Sequence, residues 1–196
     1  WDGNFWRQVD NTTRRGRGIF AAGATPSETR TIDYIKIASQ GNAIDFGGLA
    51  FPQVESRVAG TGNEIRGIFA GTNDSDSRDI IEYVTTASGG DAIDFGNLSV
   101  GRGTMGAAAS STRGIFMAGR DPSSVNVIDY IEIMTVGNAT DFGDCTETSS
   151  WASCNNSTTR AIRMGGENPA SPSNQGGRLD TIDFVTISSK GNAVDF

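Results

Sequence analysis

The sequence predicts an all-β chain in which four homologous units, each of about 49 residues, fold as the blades of a β-propeller. Three observations carry this expectation. Three short blocks recur four times in fixed order. Each block is too short for a helix and rich in Ile, Val, Phe and Tyr, with Gly, Asn or Ser at its borders, which is the pattern of strands joined by turns. The middle block alternates so that Ile32 and Tyr34 point one way while Asp33, Ile35 and Ile37 point the other. Both faces are largely apolar, so this strand needs cover on two sides, and a blade held between two neighbours supplies it.

The first block, Arg17-Gly18-Ile19-Phe20-Ala21, returns at Arg66-Gly67-Ile68-Phe69-Ala70 and at Arg113-Gly114-Ile115-Phe116-Met117. A fourth, degraded copy is Arg160-Ala161-Ile162-Arg163-Met164. The second block carries an acid in each unit, Asp33, Glu82, Asp129 and Asp183, and the third ends on Asp-Phe at Phe46, Phe95, Phe142 and Phe196. From that acid to the Asp of the third block is 12 residues in every unit. From the block-one Arg to the acid is 16, 16, 16 and then 23, which places a seven-residue insertion in the Pro/Ser/Asn/Gly-rich stretch from Glu167 to Arg178. The segment before each Arg, such as Val100 to Ser110, supplies the remaining strand. The units fall at about 1–46, 47–95, 96–142 and 143–196 within a single repeat domain. A closed four-bladed ring is the expected fold, with part of a larger or oligomeric propeller as the alternative.

Composition narrows the function. The 196 residues include 26 Gly but only 5 Pro, and 36% are hydrophobic, which suits many short strands over thin cores. A net charge of -7 argues against nucleic acid, because phosphate binding needs a basic surface. No apolar run is long enough for a bilayer, and no signal-peptide pattern begins at Trp1, so the chain reads as mature or as cut from something longer. There is no histidine, which removes Ser-His-Asp and Cys-His catalysis and His-ligated zinc. Cys145 and Cys154 lie nine apart, and the spacing fits either a local disulfide in an oxidising compartment or two buried thiols.

The order of signals resembles the kelch repeat: Arg102-Gly103 then Gly106-Ala107-Ala108-Ala109, Ile115-Phe116 with Gly119, Ile128-Asp129-Tyr130, and Asp141-Phe142. Gly165-Gly166 keeps the glycine pair that this family prefers, whereas Phe replaces its final Trp, as in a divergent relative. The whole chain is similar to kelch-like repeats in virion proteins of aquatic bacteriophages, especially cyanophages. That resemblance implies a propeller fold and a structural, tail-associated or surface-appendage role in a virion, outside the cell.

The polar residues are weighed against that background. Acids that recur in every unit are expected to be structural rather than a glycosidase pair, since catalytic residues in an array normally occur once. The repeated Arg17, Arg66, Arg113 and Arg160 are expected to pair with one of the acid sets at blade seams. Gly101 to Gly106 matches a dinucleotide fingerprint by letter but lacks a βαβ context. Asn73 to Asp79 looks like a calcium loop without its glycine and terminal Glu, and reads as a solvated turn. Asn-x-Ser/Thr sequons read as turns, and Trp1, Phe5, Trp6 and Trp151 as a plug or an aromatic patch. No catalytic residue, cofactor or metal is expected. Loops between second and third strands are the natural binding face, led by the Glu167–Arg178 loop with Asn168, Asn174 and Arg178 as polar contacts. The function expected is a non-enzymatic virion module contacting host glycans or other virion proteins, without membrane insertion. The alternatives are a self-assembling extracellular fibre or surface array and, last, a propeller glycosidase or lectin.

Overall fold

A computed structural model describes residues 16–25, 27–50, 58–72, 79–170 and 177–196. Each recurring block becomes one strand. The first blade contains β1 (Arg17–Ala21), the two-residue β2 (Ala24–Thr25) and β3 (Ser27–Glu28), β4 (Thr31–Lys36) and β5 (Ile44–Gly48). Its sheet runs β1-β4-β5, while β2 pairs with β3 in the connecting loop. The second blade is β6 (Ala59–Gly62), β7 (Arg66–Ala70), β8 (Ile80–Thr85) and β9 (Ile93–Asn97), paired in that order. In the third, β10 (Gly106–Ala109), β11 (Arg113–Met117), β13 (Ser123–Glu132) and β14 (Thr140–Ser149) form the sheet, and β12 (Arg120–Asp121) folds back on the start of β13. The fourth is β15 (Ser153–Asn156), β16 (Arg160–Met164), β17 (Ile182–Thr186) and β18 (Val194–Asp195). These four antiparallel sheets follow one another as the blades of the four-bladed β-propeller that the repeats predict, with packed seams between successive blades and an unpacked face on the first and on the fourth.

Local chemistry sets the strand ends. The turns before Arg66, Arg113 and Arg160 are each closed by a side chain: Asn63 Oδ1 accepts from the amides of Ile65 and Arg66, Ser110 Oγ from those of Thr112 and Arg113, and Ser157 Oγ from those of Thr159 and Arg160. Register is then identical in all blades. Arg17, Arg66, Arg113 and Arg160 lie opposite Lys36, Thr85, Glu132 and Thr186, and the residue three further on lies opposite the second-block acid. A bulge just before that acid recurs in the first three blades, bending the strand at the same point.

Strand alternation sends every blade's side chains into two seams. On β7, Phe69 faces the first blade, where it joins Ile32, Phe46 and Leu49; Ile68 and Ala70 face the third, where they join Met105, Phe116 and Ile131. On β11, Ile115 and Met117 continue into the seam with the fourth blade, beside Ile128, Phe142, Val185 and Ile187. Covering a side chain of this size contributes about 1.5–3 kcal/mol, so the seams, rather than any single sheet, hold the apolar stabilisation.

A polar clasp runs along the outer edge of each seam. Gly90 N donates to Phe46 O at 2.6 Å and Ala92 N to Gly48 O at 2.8 Å, and the same two bonds recur from Gly137 and Ala139 and from Gly191 and Ala193. Between them Asp91, Asn138 and Asn192 each accept a preceding-blade amide on Oδ1, at 2.9, 3.0 and 3.1 Å. Close approach requires Gly96: its φ is 144°, and a Cβ there would stand 2.5 Å from the Gly137 carbonyl.

Candidate binding cleft

The repeated arginines sit at the seams as expected, but their partners differ from the expected acids. Arg17, Arg66, Arg113 and Arg160 each lie over the aromatic ring of their own second block, Tyr34, Tyr83, Tyr130 and Phe184, at 4.3–4.8 Å. That ring meets the third-block Phe edge to face, with centroids 5.9–6.0 Å apart. Arg17, Arg66 and Arg113 then donate from Nη1 across the seam to the carbonyls of Thr86, Ile133 and Ile187 at 2.8, 2.8 and 3.1 Å. Strand parity explains the correction. A residue three positions from the one opposite the acid lies on the other face of the sheet. Among the described residues, Arg113 is the one of the four that pairs with a carboxylate, Glu132, at 2.7 Å on the half-exposed edge.

Other guanidiniums serve the buried acids. Arg102, fully buried, donates from Nη1 to Asp129 at 2.8 Å and to Val100 O, and from Nε to Ala118 O. Arg163 holds Asp183 with two parallel bonds, Nε to Oδ1 at 2.8 Å and Nη2 to Oδ2 at 2.7 Å, and reaches Ser149 Oγ from Nη1. Each acid also ties down the chain entering from the preceding blade: Ser99 donates N–H and O–H to Asp129, and Thr146 does so to Asp183. Burial alone pushes the Asp183 carboxyl up, yet Arg163 and Thr146 together hold it below its ordinary 3.8. Asp129 and Asp183 are thus seam groups with their lone pairs engaged. Glu82 is equally buried, Asp33 is half-buried, and Asp45, Asp94, Asp141 and Asp195 are exposed on the last strand of each blade.

The insertion in the fourth unit builds a cleft. Arg120, Pro122, Ser123 and Ser124 from the loop between the second and third strands of the third blade face Asn168, Pro169 and Ala170 from the equivalent loop of the fourth, with Thr148 at the floor; the cavity is about 190 Å³. Asn168 is fixed by three contacts: its amide N donates to Gly177 O, its Nδ2 to Thr148 Oγ1 at 2.8 Å, and its Oδ1 accepts from Ala170 N. Ser124 Oγ lies 3.1 Å from Ser150 Oγ, and both hydroxyls reach the Glu167 carbonyl at the start of the insertion, at 3.4 and 3.3 Å, which ties the third blade to the fourth. Arg120 Nε donates to Pro122 O at 2.7 Å, which orients this cleft-lining side chain. Amide, hydroxyl and guanidinium groups at fixed positions recognise polar, hydroxyl-bearing or anionic partners by hydrogen bonding.

Of the other sequence-level sites, Asn174 lies outside the described residues, as do the calcium-like positions 73–78 and Trp1, Phe5 and Trp6. Arg178 pairs through its backbone with Glu167 at the base of the insertion. The glycine fingerprint at 101–106 is a linker ending at the start of β10, with Arg102 buried inside it, as its missing βαβ context implied. Cys145 and Cys154 carry free thiols at the seam of the third and fourth blades, and burial pushes both up to about 12. Sequence reasoning missed Arg102, Arg163 and Arg120. None recurs in register with the repeat, and a departure from the repeat was the only signal available. No family model matches the chain, and no curated protein matches it.

Proposed function

We infer that the chain is a non-enzymatic structural and binding module of a virion tail or surface appendage, and that it presents the Arg120–Asn168 cleft to surface glycans of a host cell. The observation carrying this reading is the division of labour among its polar residues. The repeated arginines are spent on blade seams, while Arg120 and Asn168, which recur in no other unit, meet where the second-to-third-strand loops of the third and fourth blades face each other. The resemblance of the repeat to kelch-like phage virion proteins supports the virion setting, and the rigid hydroxyl, amide and guanidinium lining supports a carbohydrate partner, with neighbouring virion proteins as the other class that such a surface suits. The test is a glycan array probed with the wild-type chain and with an Arg120→Ala, Asn168→Ala variant, alongside immunogold labelling of native particles. Binding lost in the variant and label at tails or capsid surfaces support the reading. Label on free filaments, or glycan binding unchanged by the substitutions, overturns it.

A further inference from the structure

The first and last blades break a rule that the three filled seams obey. In each filled seam the forward face of one blade carries Ile at the head of the second block and Phe at the end of the third: Ile32 with Phe46, Ile81 with Phe95, Ile128 with Phe142, none more than 4% exposed. The fourth blade has the same residues in the same places, yet Ile182 is 40% and Phe196 69% exposed. The backward face of the first blade is equally bare. Phe20 is 57% exposed where Phe69 and Phe116 are 7% and 0%, and Ile37 is 68% exposed where Ile133 and Ile187 are 0% and 2%.

The polar half of the seam is unfilled in the same two places. Arg160 is poised over Phe184 as its counterparts are over their tyrosines, but among the described residues it reaches no carbonyl of another blade. The first blade offers the matching carbonyl at Ile37, the position homologous to Thr86, Ile133 and Ile187. Its Gly41-Asn42-Ala43 turn is the homologue of the three clasps, and makes none of their bonds among the described residues.

We propose that the forward face of the fourth blade is a docking surface for the backward face of the first blade in a second copy of this chain, joined head to tail. The occupant follows from continuity with the seams inside the molecule. Ile182 and Phe196 ask for a first-block Phe, which Phe20 supplies, and Arg160 asks for a carbonyl, which Ile37 supplies. A monomer with both faces bare carries two separated apolar patches, which chains in solution cover by association. The contact is heterologous, so copies either close a ring or run on as a filament, according to the rotation per copy. It stands on the seams alone and holds or fails independently of the cleft.

Sedimentation velocity across a range of concentrations tests it. The wild-type chain is expected to associate with rising concentration. Phe20→Glu and Ile182→Glu are each expected to remain monomeric, with circular dichroism unchanged because both side chains are exposed. Mixed together, these two variants are expected to form a heterodimer and nothing larger, since each retains the face the other lacks. Arg160→Gln, which leaves the apolar faces intact, is expected to weaken association at least several-fold. A wild-type chain that stays monomeric, including one that closes the same two faces within itself, overturns the proposal. Association that survives both charged substitutions overturns it as well.

Discussion

The third and fourth blades neutralise a buried acid by two different routes, and exchanging the routes tests how the seams work. In the third blade the guanidinium comes from Arg102, eleven residues before the repeat Arg113, and Phe116 stands opposite Asp129. In the fourth, the residue eleven before Arg160 is Ser149, and Arg163 stands opposite Asp183. The Arg has changed places with respect to the repeat, and the Ser at its old position now accepts from it. Arg163→Phe removes two of the four hydrogen bonds to Asp183 and leaves those of Thr146 to a carboxylate with no exposed surface. Stranding a buried charge in this way costs about 3–5 kcal/mol, or roughly two to four decades in the folding equilibrium. Ser149→Arg alone crowds a second guanidinium into the site and is also destabilising. Together, Ser149→Arg and Arg163→Phe rebuild the third-blade arrangement, so the double variant is expected to recover at least about 2 kcal/mol of the Arg163→Phe loss. Urea unfolding of the four proteins, followed by circular dichroism, measures the coupling. The reasoning is refuted if Arg163→Phe lies within about 1 kcal/mol of wild type, or if the double variant is no more stable than Arg163→Phe.

Three further outcomes follow from the same seams. Gly96→Ala places a methyl 2.5 Å from the Gly137 carbonyl at a φ of 144°, so a loss of about 2–3 kcal/mol is expected in urea unfolding; an unchanged midpoint would show the clasp to be slack. Arg66→Met keeps the packing over Tyr83 but loses the bond to Ile133 O, with an expected cost of about 1–2 kcal/mol that is insensitive to mutation of the acids. The Asp183 carboxyl titrates below its ordinary 3.8 when folded. Its contribution is therefore fully present above the unfolded value and is lost as the pH falls through the folded one. Unfolding midpoints are expected to be flat at neutral pH and to drop below about pH 4, with a shallower drop in Arg163→Phe. An equal drop in both proteins would remove Asp183 as the cause.

The strands were legible in the sequence because each block repeats both its composition and its spacing, and the double-sided burial of the middle strand could be read from Ile32 and Ile35 on opposite faces. The ion pairs were not legible by the same logic. Repetition invites pairing the repeated Arg with the repeated acid, yet sixteen residues and one hairpin put Arg113 opposite Glu132 and turn it away from Asp129. Counting parity from the turn at Ser110 would have shown this, whereas Arg102 could not have been found by counting, since a linker rather than a strand delivers it. The insertion at Glu167–Arg178 was visible as a break in spacing, but its partner, the Arg120 loop, is no longer than its homologues and becomes notable only when the two blades are placed side by side.

What repeats and what does not therefore answer different questions in this protein. A residue present in all four units faces the same geometric demand four times, and here the demand is to join one blade to the next: the Arg over its ring, the Phe in the seam, the Gly-Asx-Ala clasp. Such residues carry no information about a ligand, because a ligand meets only one place on the ring. Individuality enters where a unit departs from the pattern, and the fourth unit departs most. Its Arg163 replaces an apolar seam residue with a charged one at the boundary it shares with the third blade, and its insertion rises over that same boundary. The pair itself lies within the fourth blade, but Thr146 and Ser149 on the last strand of the third blade bond to Asp183 and Arg163, and such bonds fix the relative position of the two blades more narrowly than a Phe does, since they specify direction as well as contact. The seam beneath the cleft thereby carries the bonds of Thr146 and Ser149 in addition to the polar clasp that all three filled seams share, which is what a cleft assembled from two separate blades requires if its polar groups are to hold one spacing.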